Sequence, residues 1–316
     1  MGLLGYIQVD FDPILRLGDL AIRWQTVGVA IALIAGVTMA ARGRAQPRLP
    51  QGPDSRAPSR YPDAPKLSRP GELIEARPLR LDDMAFILLA AVPGAVVGGR
   101  LVHGLAFWEA YAANPDRLLD PAFGSLSLLG AMLGAALSAA FMARLLGAPV
   151  RRWADAAAVP LLVTLGLGKL AQFLGGSGQG VPSASPWAVA FTGEGPWVSA
   201  NPSLPAHAAQ VYEGMWLLIG ALFVVSLSAP VRARASGRGG LFVAAVGVFL
   251  IGRLVVGFAW RDQSVLGPLN AEQLLALAAL TALLLGFAAV VAGRARYRGD
   301  LIESKEAARS REERRT

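Results

Sequence analysis

The chain has 316 residues, 54% hydrophobic and only 16% charged, with a mean hydropathy of +0.46. A soluble domain carries roughly 25% charged residues, so there are too few polar side chains here to cover a water-exposed core. The net charge of +8 and the lack of cysteine set two further limits. The basic residues gather between and after apolar stretches, where headgroups rather than nucleic acid explain them, and disulfides, thiolate metal sites and a cysteine nucleophile are ruled out.

In chain order, MGLLGYIQVDFDPILRLGDL lacks the basic segment and long apolar run of a cleavable signal. Residues 1–19 are predicted to lie as a short amphipathic, extracytoplasmic segment on the membrane surface. Apolar stretches then follow near 20–41, 84–107, 125–146, 155–175, 211–229, 240–260 and 270–292. Each has about the 20 apolar residues that a span needs, and only helices satisfy their own backbone in lipid. The expected fold is therefore an all-α integral membrane protein with seven transmembrane helices, its membrane domain covering 20–292.

The connections alternate in charge. Residues 42–83 hold nine Lys and Arg, from Arg42 to Arg80, whereas 108–124 hold one Arg against Glu109, Asp116 and Asp120. Arg151 and Arg152 mark the third connection, 176–210 contain no Lys or Arg, and Arg232, Arg234 and Arg238 mark the fifth. The sixth has Arg261 beside Asp262, and the basic tail, 293–316, opens with Arg294, Arg296 and Arg298. The positive-inside rule then puts the N-terminus outside and the C-terminus in the cytoplasm. The Pro- and Arg-rich stretch 42–83 reads as a partly disordered cytoplasmic loop. The Gly- and Pro-rich stretch 176–210 reads as an extracytoplasmic loop folded onto the membrane face.

With that topology Arg100, Lys169 and Arg253 fall at nearly one depth in the outer parts of the second, fourth and sixth spans. An intramembrane charge costs several kcal/mol unless paired or solvated, and marks a functional candidate. The plainer alternatives are snorkelling to headgroups and structural pairing with Glu213. Glu213, which opens the fifth span beside Tyr212, reads as the only acid placed to neutralise these cations. The missing negative charge is then expected from a ligand, and an anionic headgroup suits guanidinium recognition. His103 lies on the face of Arg100, three residues further on. Glycine-rich stretches such as GAVVGG serve tight helix packing, and Gly98 and Gly99 could also let a ligand approach. His103 and His207 have no partner at metal-ligand spacing, and no phosphate-cradling loop motif occurs, so no metal and no cofactor is expected.

Several segments together resemble the prolipoprotein diacylglyceryl transferase family, over about residues 6–292. These are FDPILRLGDLAIRW, VVGGR at 96–100, GLGKLAQFLGGSGQGVPSASPWAVAF, HAAQVYEG at 207–214, and GRLVVGFAWRD at 252–262 with Gln273 beyond. The resemblance implies transfer of diacylglycerol from phosphatidylglycerol to the lipobox cysteine thiol of a lipoprotein precursor, in a bacterial plasma membrane. The precursor's signal peptide and an anionic phospholipid would be the partners.

Carried over residue by residue, it implies that Arg100, Lys169 and Arg253 hold the lipid phosphate, with Gln172, Gln210 and Arg261 contributing. Tyr212 and Glu213 would orient the lipid or pair with Arg253, and Gly98, Gly99 and Gly180 would permit close approach. His103 and Glu213 are the catalytic candidates, with His207 as a further histidine. The departures are as specific. Lys169 stands where the family has Arg, keeping the charge but losing the bidentate fork. Gln172, Gly175 and Ser177 replace Asn, Asn and Glu, and Gln25 and Phe249 replace tyrosines. Gly257 replaces a Glu, and Leu129 falls where the third span's His-Gly-Gly segment has its histidine. Arg261 matches after a one-residue slip. The alternative reading is a noncatalytic relative that binds anionic phospholipid or lipoprotein precursors.

Overall fold

The computed structural model describes residues 5–43, 79–112, 114–118, 126–226, 239–289 and 292–293. The expected cytoplasmic loop (except its ends), the fifth connection with Arg232, Arg234 and Arg238, and the basic tail from Arg294 lie outside the described residues.

Among the described residues, seven helices are long and apolar enough to cross a membrane. They are α1 (Trp24–Gly43), α2 (Leu81–Ala106), α3 (Leu128–Leu145), α4 (Val150–Phe173), α5 (Ala209–Ser226), α6 (Gly240–Val256) and α7 (Ala271–Ala289). The fourth begins earlier than its apolar run, because Arg151, Arg152 and Trp153 already belong to its first turn. Leu89, Val92, Leu101, Leu137, Phe141, Leu222 and Phe223 stay exposed. In water such a surface would be a liability; in lipid it is the solvated face.

The core forms where α4, α5 and α6 meet. Ala158 and Leu162 pack there against Leu217, Ala221 and Val224, and against Ala245, Phe249 and Leu250, with Ala276 of α7. At the end of this core where α4 and α6 begin, Asp155 accepts the backbone N–H groups of Gly239 (3.0 Å), Leu241 (2.9 Å) and Phe242 (3.1 Å). One carboxylate thus caps the first turn of a neighbouring helix, where four N–H groups lack intrahelical partners. Helices α2 and α3 pack backbone to backbone, because a Cβ at Gly98 or Gly134 would run into the facing helix's main chain.

Six short strands lie at the other end of the bundle: β1 (Ile7–Val9), β2 (Ile14–Leu17), β3 (Leu20–Arg23), β4 (Val189–Phe191), β5 (Ser264–Leu266) and β6 (Leu269–Asn270). Strands β2 and β3 make a hairpin that runs straight into α1, and β5 and β6 make a second hairpin before α7. The amphipathic N-terminal segment is thus a strand and a hairpin, and β1 pairs in parallel with β4 of the long loop. Within that loop Gln179 donates to the carbonyls of Val189 (3.2 Å), Pro202 (3.3 Å) and Leu204 (2.8 Å) and accepts from Ser199 (2.6 Å). Trp197 packs on Phe191 and Phe11, so the loop is ordered by an aromatic plug as well as by hydrogen bonds. The ends of α2, α4 and α6 and the starts of α1, α3, α5 and α7 lie at this end of the bundle.

Candidate functional site

Lys169 near the end of α4, Arg253 near the end of α6 and Glu213 near the start of α5 meet just beneath the hairpin face. Lys169 Nζ lies 3.0 Å from Glu213 Oε2, and Arg253 donates to both Glu213 oxygens at 3.0 and 3.2 Å. Glu213 is 1% exposed. Such a group survives burial only because its lone pairs are filled and its charge is balanced.

The sequence reading left Glu213 as the only acid available. The structure adds Glu272, in the first turn of α7, whose Oε2 accepts from the second terminal nitrogen of Arg253 at 3.4 Å. Its Oε1 accepts the Ser127 hydroxyl at 2.6 Å. Ser127 is the N-cap of α3, and its oxygen also receives the Gly130 N–H. Glu213 and Glu272 thus pair with Lys169 and Arg253, and Asp262 beyond α6 lies within electrostatic reach of both, so these two cations do not by themselves demand an anionic ligand. Trp260 closes the cluster, its ring centroid 4.5 Å from Lys169 Nζ and 5.7 Å from Arg253 Cζ. A cation over an indole face gains from the ring quadrupole.

Several polar atoms in and beside this cluster are buried without a hydrogen-bond partner among the described residues. They are Arg253 Nε, Trp260 Nε1 and both amide atoms of Gln210, one turn before Glu213 on α5. A buried donor left unmade costs about 1–3 kcal/mol, and here three of the four orphaned atoms are donors.

The other predicted residues take varied places. His103, on the second helix with Arg100, lies within electrostatic reach of Arg100 and Glu272. Its ring packs against Phe107 (4.7 Å between centroids) and edge-on to Tyr111 (5.9 Å). Tyr212 turns away from the ion cluster: its hydroxyl meets His207 Nδ1 at 3.2 Å, which ties α5 to the loop. Gly180 sits where two backbones cross, since its N–H bonds the His207 carbonyl and its carbonyl accepts Arg261 Nε at 3.0 Å. Its missing Cβ serves loop closure, as the missing Cβ of Gly98 serves the α2–α3 contact and that of Gly99 lets Leu126 and Ala131 pack. Phe249 is buried in the apolar core, and the partly buried Leu129 packs against that core. Gln172 faces Gly178 and Trp260 where α4 gives way to the loop.

Two departures from the family pattern occur in contact with other side chains. Gln25 fills the space beside Gly175, and Gln273 lies where a side chain at Gly257 would stand. Gln273 is itself fixed, donating to the Leu254 carbonyl at 3.0 Å and capping Asn270 N at 3.0 Å. Among the described residues no group of three His, Asp or Glu is placed to hold a metal ion.

The chain matches the family model for prolipoprotein diacylglyceryl transferase over residues 69–290. Curated relatives carry the name phosphatidylglycerol–prolipoprotein diacylglyceryl transferase. The protein of Trichormus variabilis is 25% identical over 295 residues, covering 90% of this chain and 92% of the relative. That of Mesorhizobium japonicum is 29% identical over 269 residues, 82% of each. That of Geobacter sulfurreducens is 32% identical over 205 residues, 62% of this chain and 74% of the relative. With seven membrane-crossing helices and a match over most of its length, the chain belongs to the prolipoprotein diacylglyceryl transferase family.

Proposed function

We propose that this protein moves diacylglycerol from phosphatidylglycerol to the lipobox cysteine of a lipoprotein precursor, in a bacterial plasma membrane with the hairpin face outward. The observation that carries this reading is the set of buried, unpartnered donors, Arg253 Nε, Trp260 Nε1 and the Gln210 amide, around a lysine and an arginine. Lys169 and Arg253 are balanced by Glu213 and Glu272, so a phosphate diester is drawn by unmet hydrogen bonds as well as by charge. Arg100 adds a cation from α2.

The chemistry is a displacement. The thiolate sulfur attacks the diacylglycerol carbon that bears the phosphate ester. A C–S bond forms, the C–O bond breaks, and its electron pair leaves on glycerol phosphate. Donors aimed at that developing charge contribute most when water is excluded. Glu213, with both oxygens engaged by cations, holds Lys169 and Arg253 in place. The signal peptide would reach the site beside the loop that Gln179 and Arg261 order.

A second reading, a noncatalytic relative that binds the same lipid, is favoured by one observation: Leu129 is a partly buried apolar side chain packed against the core. Complementation separates the two. The host's own transferase is depleted, this chain is expressed, and precursor lipidation is followed by gel shift and mass. Lipidated precursor that disappears in Arg253→Ala at equal membrane abundance supports the transferase. Absence of product at verified wild-type abundance refutes it.

A further inference from the structure

We propose that Glu272 is the group that takes the thiol proton, with Ser127 holding it in position. This assignment rests on the transferase reading above. Deprotonation needs an acceptor within reach, because the thiolate, not the thiol, is the nucleophile. Four groups near the cluster could serve, and one of them, Asp262, lies within electrostatic reach of Lys169 and Arg253 but is exposed and held by no hydrogen bond among the described residues. Glu213 is 1% exposed, and both its oxygens are committed to Lys169 and Arg253. His103 packs between two aromatic rings and stands beside Arg100, so a proton there would set two cations together. Glu272 is more open than Glu213, and only one of its oxygens, Oε2, contacts a cation directly. Its side chain is 19% exposed, and its Arg253 contact is long, at 3.4 Å. The short Ser127 bond, at 2.6 Å, fixes the carboxylate from the opposite side.

The geometry gives the step a balanced form. The sulfur's proton passes to a Glu272 oxygen, and the S–H electron pair forms the new C–S bond. The C–O pair departs on glycerol phosphate, which then takes the proton from Glu272. The carboxylate is regenerated, and no oxidant, reductant or further reactant is needed. The cation that steadies the leaving group, Arg253, is the one that touches Glu272. Proton acceptor and leaving-group donor are thus set on one rigid unit of α6, α7 and the α3 cap. Neither Ser127 nor Glu272 was singled out by the sequence.

The test uses the full-length protein in lipid nanodiscs containing phosphatidylglycerol, with a lipobox peptide as acceptor, and compares wild type with Glu272→Gln, Glu272→Ala and Ser127→Ala across pH. Glu272→Gln keeps an acceptor for Ser127 and the shape of the side chain. Loss of a general base costs on the order of 10²–10⁴-fold in kcat. Glu272→Gln is expected to fall about 100-fold or more at pH 7, with phosphatidylglycerol binding as tight as in wild type or tighter, because Arg253 loses a neighbouring negative charge. The deficit should shrink as pH approaches the free thiol value near 8.5, and formate should restore part of the Glu272→Ala rate. A Glu272→Gln rate within about twofold of wild type, or a deficit constant across pH without formate rescue, overturns the assignment while wild-type turnover upholds the transferase reading. An inactive wild type overturns both.

Discussion

Glu213→Gln removes the single negative charge on which Lys169 and Arg253 converge, with almost no change in shape. Wild type has three contacts of 3.0–3.2 Å to this carboxylate, which is buried to 1% exposure. Breaking one side of a buried ion pair costs about 3–5 kcal/mol, because the partner charge stays desolvated. Arg253 retains Glu272, at 3.4 Å, and Lys169 keeps the face of Trp260 and the more distant charges of Glu272 and Asp262. The expected loss is therefore at the lower end, about 3 kcal/mol. At roughly 2–4 °C per kcal/mol for a chain of this size class, Tm should drop by about 6–12 °C. The assay is thermal unfolding in a mild detergent, read for wild type, Glu213→Gln, Lys169→Met and the double variant. The double variant should recover much of the loss, since groups in one network couple by about 0.5–3 kcal/mol. A Glu213→Gln Tm within about 2 °C of wild type, or a double variant worse than the sum of the singles, would refute the view that the triad is held by mutual charge balance.

Asp155→Ala should cost about 1–2 kcal/mol, since it strips the cap from three N–H groups of α6; the same unfolding assay reads it, and the Lys169–Glu213 cluster should be untouched. Gly134→Leu puts a side chain into the main chain of Gly94 and Gly98, and should lower Tm and membrane yield through overpacking of about 1–3 kcal/mol. Asp12 accepts the Ile14 N–H at 2.9 Å, and that bond, with Arg16 adding to it, holds the carboxyl below its ordinary value of 3.8. A lowered folded-state value contributes stability above pH 3.8 that is lost as pH falls through the folded-state value. Hydrogen exchange over residues 14–17 should show that step in wild type and not in Asp12→Asn.

The seven spans were legible because lipid imposes one rule, a helix of about 20 apolar residues, that shows directly in composition. Lys169, Arg253 and Glu213 were legible for the converse reason, as charges inside such runs are conspicuous. Glu272 escaped because it sits in the first turn of α7, where an acid near a span boundary carries no signal. Ser127 escaped because its capping role is real and hides the second bond it makes to Glu272. The direction of Tyr212 could not be read at all: it is set by the loop histidine it meets, and that loop's fold depends on β1 pairing with a strand about 180 residues away. No local period records a pairing of that range.

The contacts of Gln25 with Gly175, and of Gln273 with Gly257, bear on how this site could be re-engineered. Restoring the family's Glu at Gly257 alone would drive its Cβ to 2.5 Å from Gln273 Cγ, and restoring Asn at Gly175 alone would press on Gln25. Each substitution requires the neighbouring glutamine side chain to move. The small residues at 175 and 257 are thus matched to the glutamines beside them, and a side chain introduced at either position is accommodated only as far as its neighbouring glutamine can shift.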